Sequence, residues 1–329
     1  MFNSGKILSC RKCRFDRFKE IIERAAMDAD EPGCNSEETG EKGVEKTSEH
    51  TEELANEDDV QSTSDERPRL PSEASKPSIS FIDHSSDVSW ESANNDTPLL
   101  DGMMRAYCTL CQVRKSGEMG ALHHKDMHEY IRNETMPLRP CKYSDMIPYS
   151  HIFFVGLMDF AKAAFKDFQA MTPEMRHALV EGNFQLVQAL DGSYRAIHTF
   201  PDDDTVMATY ATYVSNDTLP QFFDDCPPEV NKDEAIGQFR KNMKQTIKLS
   251  KDEFKKVKPS VEEFMALFGF ALWSNYSGKF ETELDNLVRK NREAILIELK
   301  TIYSRKGNAE YALRMGELLS LLSIEEVSI

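Results

Sequence analysis

The spacing of apolar residues predicts helices over most of the chain beyond residue 98. Between residues 152 and 168 apolar side chains recur at intervals of three and four and cover more than one face, which indicates a helix buried in the middle of a bundle. Further helices are predicted at residues 173 to about 190, 232–249, 260–273, 281–303 and 309–324. The β-branched and aromatic residues of 194–214 predict a small β-hairpin or an irregular loop.

Signals for helix ends divide these periodic segments. Thr172-Pro173-Glu174 predicts a helix start with Pro in the first turn, and Asp191-Gly192-Ser193 predicts the end of the same helix. Ser260 followed three residues later by Glu263 predicts a capping box. Gly307-Asn308 separates the last two helices. The sequence therefore predicts an all-α domain with one small β element.

Charge is distributed unevenly along the 329 residues, which hold 40 Lys and Arg against 56 Asp and Glu, a net charge of −16. Residues 1–25 carry a net +4 and residues 26–100 a net −15. A segment this acidic, with few aromatic residues, buries too little surface to offset a backbone entropy of about 1–2 kcal/mol per residue. We predict a short basic helix over 1–25, a disordered acidic hinge over 26–97 and a helical domain over 98–329.

Several classes of protein do not fit the sequence. No apolar run approaches the roughly 20 residues of a membrane helix, and charged residues interrupt the apolar stretch that a signal peptide would need. We therefore expect an intracellular protein with no membrane partner, whose seven cysteines are thiols or metal ligands. No phosphate-binding glycine motif or catalytic arrangement is found, so we predict that the chain is not an enzyme.

A Cys-x2-Cys pair, Cys10 and Cys13, lies at the start of the chain. Two thiolates at this spacing are candidate zinc ligands. The basic side chains around them can meet DNA phosphates while their apolar neighbours pack inward. The candidate phosphate contacts are Arg11, Lys12, Arg14 and Arg17.

This stretch resembles the end of the second zinc module of nuclear hormone receptors, where Cys-Arg-x-Cys-Arg-Phe precedes a basic residue and a further Cys. Phe18 stands here in place of that last Cys. The resemblance implies that Cys10 and Cys13 would be the last two ligands of a four-cysteine zinc site. Because no other Cys precedes position 10, we expect a remnant of the module in a truncated chain, and DNA binding that is weak or made through a partner.

A second resemblance lies in the helical region. Phe160-Ala161-Lys162, followed by Phe165, Phe168 and Thr172-Pro173-Glu174, resembles the signature of the nuclear receptor ligand-binding domain in a degenerate, nematode-type form. The stretch from Tyr311 to Leu319 resembles helix 10 of that family. The resemblance implies a three-layer helical sandwich with an apolar cavity for a hydrophobic small molecule.

The same resemblance implies three sets of functional residues. Lys162 would cap the C-terminal end of a coregulator helix, whose partial negative charge attracts a cation. Helix 10 would supply a dimer face at Leu318, Leu319 and Leu322. The ligand-pocket candidates are Phe154, Leu157, Met158, Ala161, Leu190 and Ile197. In the family a final activation helix follows helix 10, and we expect this chain to lack it because it stops at Ile329.

The sequence therefore predicts a nuclear-receptor-like transcription regulator in the nucleus. Its expected partners are a hydrophobic ligand, a coregulator, DNA, and a second subunit in a homo- or heterodimer. One alternative stays open: a zinc-dependent adaptor, because Cys108, Cys111, His124 and His128 have two-Cys, two-His spacing. The aromatic and leucine positions that pin such a finger are occupied by Lys115 and Ala121.

Overall fold

The computed structural model describes residues 96–120, 128, 136–201, 204–274, 280–307 and 310–328. The predicted basic helix over 1–25 and the predicted hinge up to residue 95 lie outside the described residues.

The described chain folds into helices and one small sheet. The helices are α1 (Pro98–Met119), α2 (Met146–Ala164), α3 (Lys166–Ala170), α4 (Pro173–Thr199), α5 (Leu219–Phe222), α6 (Lys232–Asn242), α7 (Lys248–Val257), α8 (Val261–Leu272), α9 (Glu281–Arg305) and α10 (Tyr311–Ser328). The strands are β1 (Arg139–Pro140), β2 (Val206–Met207) and β3 (Thr212–Val214). A 3-10 turn, Tyr143–Asp145, precedes α2, and a π-helical turn, Met243–Ile247, joins α6 to α7.

The helices form three layers. Helices α1 and α2 pack along each other in the first layer, α4 and α8 lie in the middle, and α7 packs with α10 in the third. Helix α9 contacts α1 and α8. Every side chain of α8 from Glu263 to Leu272 is buried, as a helix enclosed on all sides requires. The predicted three-layer helical sandwich with a small β element is confirmed.

The predicted start signals of α4 and α8 are confirmed in detail. Thr172 Oγ1 accepts a hydrogen bond from the Met175 backbone N–H at 3.3 Å. Ser260 Oγ accepts from the Glu263 N–H at 3.3 Å, while Glu263 Oε2 accepts from the Ser260 N–H at 2.8 Å. These side chains satisfy backbone donors that have no partner within the first helical turn.

The prediction that Asp191-Gly192-Ser193 ends a helix near residue 190 is wrong. Helix α4 runs without interruption to Thr199. Asp191 is 1% exposed, and a Cβ on Gly192 would lie 3.4 Å from the backbone oxygen of Met207. Turn-forming composition is overridden here by tertiary contacts.

Two other predicted helix boundaries also differ from those in the structure. The segment predicted as one helix over 152–168 divides at Phe165, whose extended backbone, φ −122° and ψ 113°, separates α2 from α3. The helix predicted to end near residue 249 continues through the π-helical turn and α7 to Val257.

The sheet contains a third strand in addition to the two of the predicted hairpin. Strands β2 and β3 pair antiparallel, with Val206 opposite Val214, and β1 pairs parallel with β3, with Arg139 opposite Thr212. A two-residue strand such as β1 is too short to show an alternating pattern, so periodicity gives no signal for it.

Helices α1 and α2 approach closely at Gly156, where a Cβ would lie 2.6 Å from Cδ1 of the buried Leu110. We expect Gly156→Val to destabilise the full-length chain by about 1–3 kcal/mol, because overpacking forces side chains off their rotamers. Gly237→Val in α6 is the matched control, since nothing lies within 4 Å of its added Cβ. Its free energy of unfolding in urea should change by about 0.5 kcal/mol or less. An equal loss of unfolding free energy in both variants would contradict the close contact of α1 and α2 at Gly156.

Candidate functional site

A buried group of charged side chains connects α1 with α4 in the domain interior. Asp191 Oδ2 accepts a hydrogen bond from Arg114 Nη1 at 2.6 Å, and its other oxygen accepts from the Tyr107 hydroxyl. Burial by itself would raise the pKa of Asp191, but the positive charges of Arg114 and Arg195 outweigh it, so the pKa lies below its ordinary value. Asp191 is therefore an anion held by two arginines.

The same group holds the sheet against the helices through the loop Thr209–Ala211. The Arg195 guanidinium donates to the backbone oxygens of Thr209 and Tyr210 and lies 4.2 Å from the Tyr210 ring centroid. The buried carboxylate of Glu118 accepts from the backbone N–H groups of Tyr210 and Ala211, each at 2.7 Å. The loop is thus fixed by one cation and one anion.

Sequence reasoning missed Asp191 and Arg195 because the first was interpreted as part of a turn. A signal was present: Val187, Leu190 and Tyr194 continue the three- and four-residue spacing of α4 past Asp191, and all three are buried. A polar residue inside an unbroken apolar period indicates a buried, paired side chain.

Aromatic rings fill the space between the middle and first layers. Tyr194 stacks on Phe264 with ring centroids 3.6 Å apart, and Tyr107 meets Phe264 and Phe268 edge-on at 5.6 and 5.1 Å. Phe160 of α2 meets Phe268 at 5.0 Å. The rings therefore connect α1, α2, α4 and α8 through one apolar cluster.

The structure separates the six predicted ligand-pocket residues into two groups. Leu157, Ala161 and Leu190 are buried, whereas the other three, Phe154, Met158 and Ile197, are only half-buried. Phe154 lies 5.5 Å from Phe184 and 5.4 Å from His177, ring centroid to ring centroid. Ile197 instead lines an open cavity of about 570 Å³ at the outer ends of α4 and α7. Ligand binding at these six positions stays a prediction.

The predicted coregulator contact, Lys162, lies in the last turn of α2. Its ammonium pairs with Asp159 of the same helix at 3.0 Å, and their side chains are 42% and 68% exposed. Its backbone oxygen accepts from Gln169 Nε2 at 2.8 Å, which ties α2 to α3. Lys162 is accessible to a partner helix, and its role stays a prediction.

The residues predicted as a dimer face do not form an exposed surface. Leu318 is 1% and Leu322 is 7% exposed, and Leu319 is half-buried, because this side of α10 packs onto α7, α4 and α8. The exposed apolar side chains near this end of the chain lie elsewhere: Leu296 and Ile297 on α9, and Tyr311 and Leu313 on α10. The leucine pattern shows that this helix has an apolar face, but it does not show which part of the protein covers that face.

The first turn of α10 is held by a polar contact with the middle layer. Arg314 donates to both oxygens of Glu263, Nε to Oε1 at 2.8 Å and Nη2 to Oε2 at 2.7 Å. Its third nitrogen donates to the Val257 backbone oxygen at the end of α7 at 2.8 Å. The Tyr303 hydroxyl of α9 donates to the same carboxylate at 2.7 Å. One arginine therefore joins α7, α8 and α10.

The last turn of α10 is held by a buried carboxyl group. Glu325 Oε1 accepts from the hydroxyl of Ser250 in α7, which lies 3.0 Å from the Ser193 hydroxyl of α4. Burial raises the pKa of Glu325 above its ordinary value, although the serine hydrogen bonds act in the opposite direction. The neighbouring Lys251 donates to the Thr205 backbone oxygen at 3.1 Å.

Zinc binding at the predicted ligands stays a prediction. Cys10 and Cys13, with the phosphate contacts Arg11, Lys12, Arg14 and Arg17, lie outside the described residues, as does His124. Cys111 is buried in α1, and burial raises the pKa of its thiol to about 12, which disfavours the thiolate that zinc requires. Across the described ranges, no three His, Cys, Asp or Glu side chains gather as a metal site.

Within the part of the chain that the structure describes, no helix has the length and apolar character needed to cross a membrane.

Comparison with known proteins gives a consistent result. A family model described as the ligand-binding domain of nuclear hormone receptor matches residues 131–326, more than half of the chain. Among curated proteins of Caenorhabditis elegans, nuclear hormone receptor family member nhr-53 is 26% identical over 251 residues, 71% of this chain and 62% of that protein.

Two further relatives come from the same organism. High zinc activated nuclear receptor protein is 22% identical over 170 residues, 50% of this chain and 41% of that protein. Nuclear hormone receptor family member nhr-16 is 23% identical over 235 residues, 70% of this chain and 58% of that protein. The chain spans less than two thirds of the length of each of these three relatives.

We expect Asp191→Asn to destabilise the full-length chain by about 3–5 kcal/mol, because it leaves the buried Arg114 charge uncompensated. Asp159→Asn is the matched control: it breaks the exposed pair with Lys162 and should cost about 1 kcal/mol or less. Urea unfolding measures both free energies. Comparable losses of unfolding free energy in the two variants would show that the buried pair of Asp191 and Arg114 contributes no more to stability than the exposed pair.

Glu325 predicts a pH dependence of stability with a defined sign. Because its folded-state pKa lies above the ordinary 4.5, its stabilising contribution is full below about pH 4.5 and is lost as pH rises through the folded pKa. We expect the unfolding free energy of the wild type, minus that of Glu325→Gln, to fall between pH 4.5 and pH 8. The exposed Glu326→Gln is the control, because it removes a carboxyl group from the same turn of α10 without removing a buried one. If the difference in unfolding free energy between the wild type and Glu325→Gln rises with pH, Glu325 is not buried as a protonated carboxyl group.

Proposed function

Since the chain belongs to the nuclear hormone receptor family through a ligand-binding domain, we propose that it is a nuclear transcription regulator and not an enzyme. The observation that carries the proposal is the match of that domain's family model to residues 131–326, a range that contains α2, α4, α7, α8 and most of α10 of the three-layer helical sandwich. The regulatory signal is the binding of a hydrophobic small molecule within this domain.

The ligand enters beside α2 in this proposal. Phe154 and Met158 lie one turn apart on α2 and are half-buried, while Leu157 and Ala161, on the same helix, are buried. An apolar molecule that covers the two half-buried side chains removes apolar surface from water, which is favourable at about 25 cal/mol per Å². The Phe184 ring of α4 packs against Phe154 at this place, with ring centroids 5.5 Å apart.

Two protein contacts accompany ligand binding in this proposal. A coregulator helix docks near Lys162, whose ammonium exchanges its exposed partner Asp159 for the C-terminal carbonyls of that helix. A second subunit covers the exposed apolar side chains of α9 and α10, Ile297 and Leu313, which are 59% and 63% exposed. This surface takes the place of the buried leucines as the dimer face.

The experiment tethers the full chain to an unrelated DNA-binding module and measures transcription of a reporter gene in cells. We expect Met158→Trp to abolish the transcriptional effect of the wild type, because the larger side chain fills the ligand entrance. Val155→Trp is the matched control, since Val155 lies on the same helix and is 59% exposed. Native mass spectrometry of the purified chains should find a bound lipophilic molecule in the wild type and in Val155→Trp and not in Met158→Trp.

Circular dichroism and urea unfolding establish that both variants fold. The proposed function is contradicted if the tethered wild type leaves transcription unchanged. The proposed entrance is contradicted if Met158→Trp and Val155→Trp retain equal amounts of the lipophilic molecule.

A further inference from the structure

An open cavity of about 570 Å³ lies between the C-terminal ends of α4 and α7. It is lined by Ile197, His198, Pro201, Lys255, Lys258 and Pro259. Its size falls in the range of cavities that hold small organic ligands, about 300–1,000 Å³. The lining combines an apolar wall, Ile197 with two prolines, and two lysine side chains.

The two lysines have no partner of their own among the described residues. Lys255 and Lys258 are three positions apart, and no ion pair within the described ranges involves either of them. Two glutamates near them in the sequence are paired with other lysines: Glu253 with Lys256 at 3.4 Å and Glu262 with Lys306 at 3.4 Å. The lining therefore includes two lysines, neither of which forms a salt bridge with a carboxylate of the described residues.

The lysines are also not needed to cap α7. The last carbonyl groups of a helix attract cations, but at this end Arg314 already donates to the backbone oxygens of Val257 at 2.8 Å and Lys258 at 3.3 Å. Capping of the helix end therefore does not account for the two lysine charges.

The backbone of Lys258 adds an independent observation. Lys258 has φ 47° and ψ 63°, a left-handed conformation that favours glycine, and it is the sole non-glycine residue with positive φ in the described ranges. A lysine held at such a position keeps a cation at the cavity at a conformational cost that glycine would avoid.

We propose that this cavity binds an amphipathic carboxylate, a small molecule with an aliphatic body and one anionic head. The aliphatic body packs against Ile197, Pro201 and Pro259, and the carboxylate meets the ammonium groups of Lys255 and Lys258 in charge-assisted hydrogen bonds. This site is separate from the ligand entrance on α2 that the proposed function uses.

The test measures binding of octanoate and of 1-octanol to the full-length chain by isothermal titration calorimetry. The neutral alcohol has the same aliphatic body, so it isolates the contribution of the charged head. We expect octanoate to bind, and we expect NMR spectra to show a shift of the Ile197 methyl signals when it does. 1-Octanol should bind about tenfold more weakly or not at all.

Three variants locate the binding. Lys255→Gln and Lys258→Gly should each weaken octanoate binding about tenfold; Lys258→Gly also removes the unfavourable φ, so a loss of binding there cannot be attributed to unfolding. Lys256→Gln is the control, because Lys256 pairs with Glu253 and does not line the cavity. Its octanoate affinity should equal that of the wild type.

Several outcomes overturn the proposal. Undetectable octanoate binding does so, as does equal binding of octanoate and 1-octanol, or an equal loss in Lys256→Gln, which indicates diffuse attraction to surface charge. Octanoate binding that survives both lysine substitutions and is lost in Met158→Trp assigns the ligand to the α2 entrance. That last result contradicts the proposed cavity site and leaves the proposed function unaffected.

Discussion

The buried ion pair between Asp191 and Arg114 sets the arrangement of the first and middle layers. Both oxygens of Asp191 are used, one by Arg114 and one by Tyr107, so a shift of α1 along α4 by one residue would leave charges without partners. Removing a single partner from such a pair is costly, although the pair as a whole adds little net stability over apolar packing. Its contribution is therefore orientation, which extends to α2 because the Arg114 guanidinium lies 3.9 Å from the Phe153 ring centroid.

Helix α8 was predictable from the sequence because its physical signals agree. The apolar period together with the Ser260 and Glu263 capping box predicted α8 within one residue at each end. The prediction failed at Asp191, where two signals conflict: local composition favours a turn, and the apolar period continues. Tertiary pairing with Arg114 decides the outcome, and a partner 77 residues away cannot be identified from a local window. Strand β1 failed for a different reason, since two residues carry no period.

The candidate sites were less predictable than the fold because a site depends on which faces meet. The family resemblance placed Lys162 at an accessible helix end, as the structure also does. It placed Leu318 and Leu322 on a dimer face, whereas the fold buries them. The helical period indicates that these leucines lie on one side of the helix, but it does not indicate which helix or subunit packs against that side. The lysine-lined cavity gave no sequence signal, because it forms where the ends of α4 and α7 meet and Lys258 departs from helical backbone.

The two ends of α10 explain why its leucines face inward. Arg314 anchors the first turn to Glu263 of α8, and Glu325 anchors the last turn to Ser250 of α7. Both anchors bury polar atoms that would lose their hydrogen bonds if α10 rotated about its axis. A rotation that exposed Leu318 to a second subunit would thus break both contacts at once. The helix orientation is therefore fixed by its polar ends, which leaves Leu313 exposed on the outer side of α10.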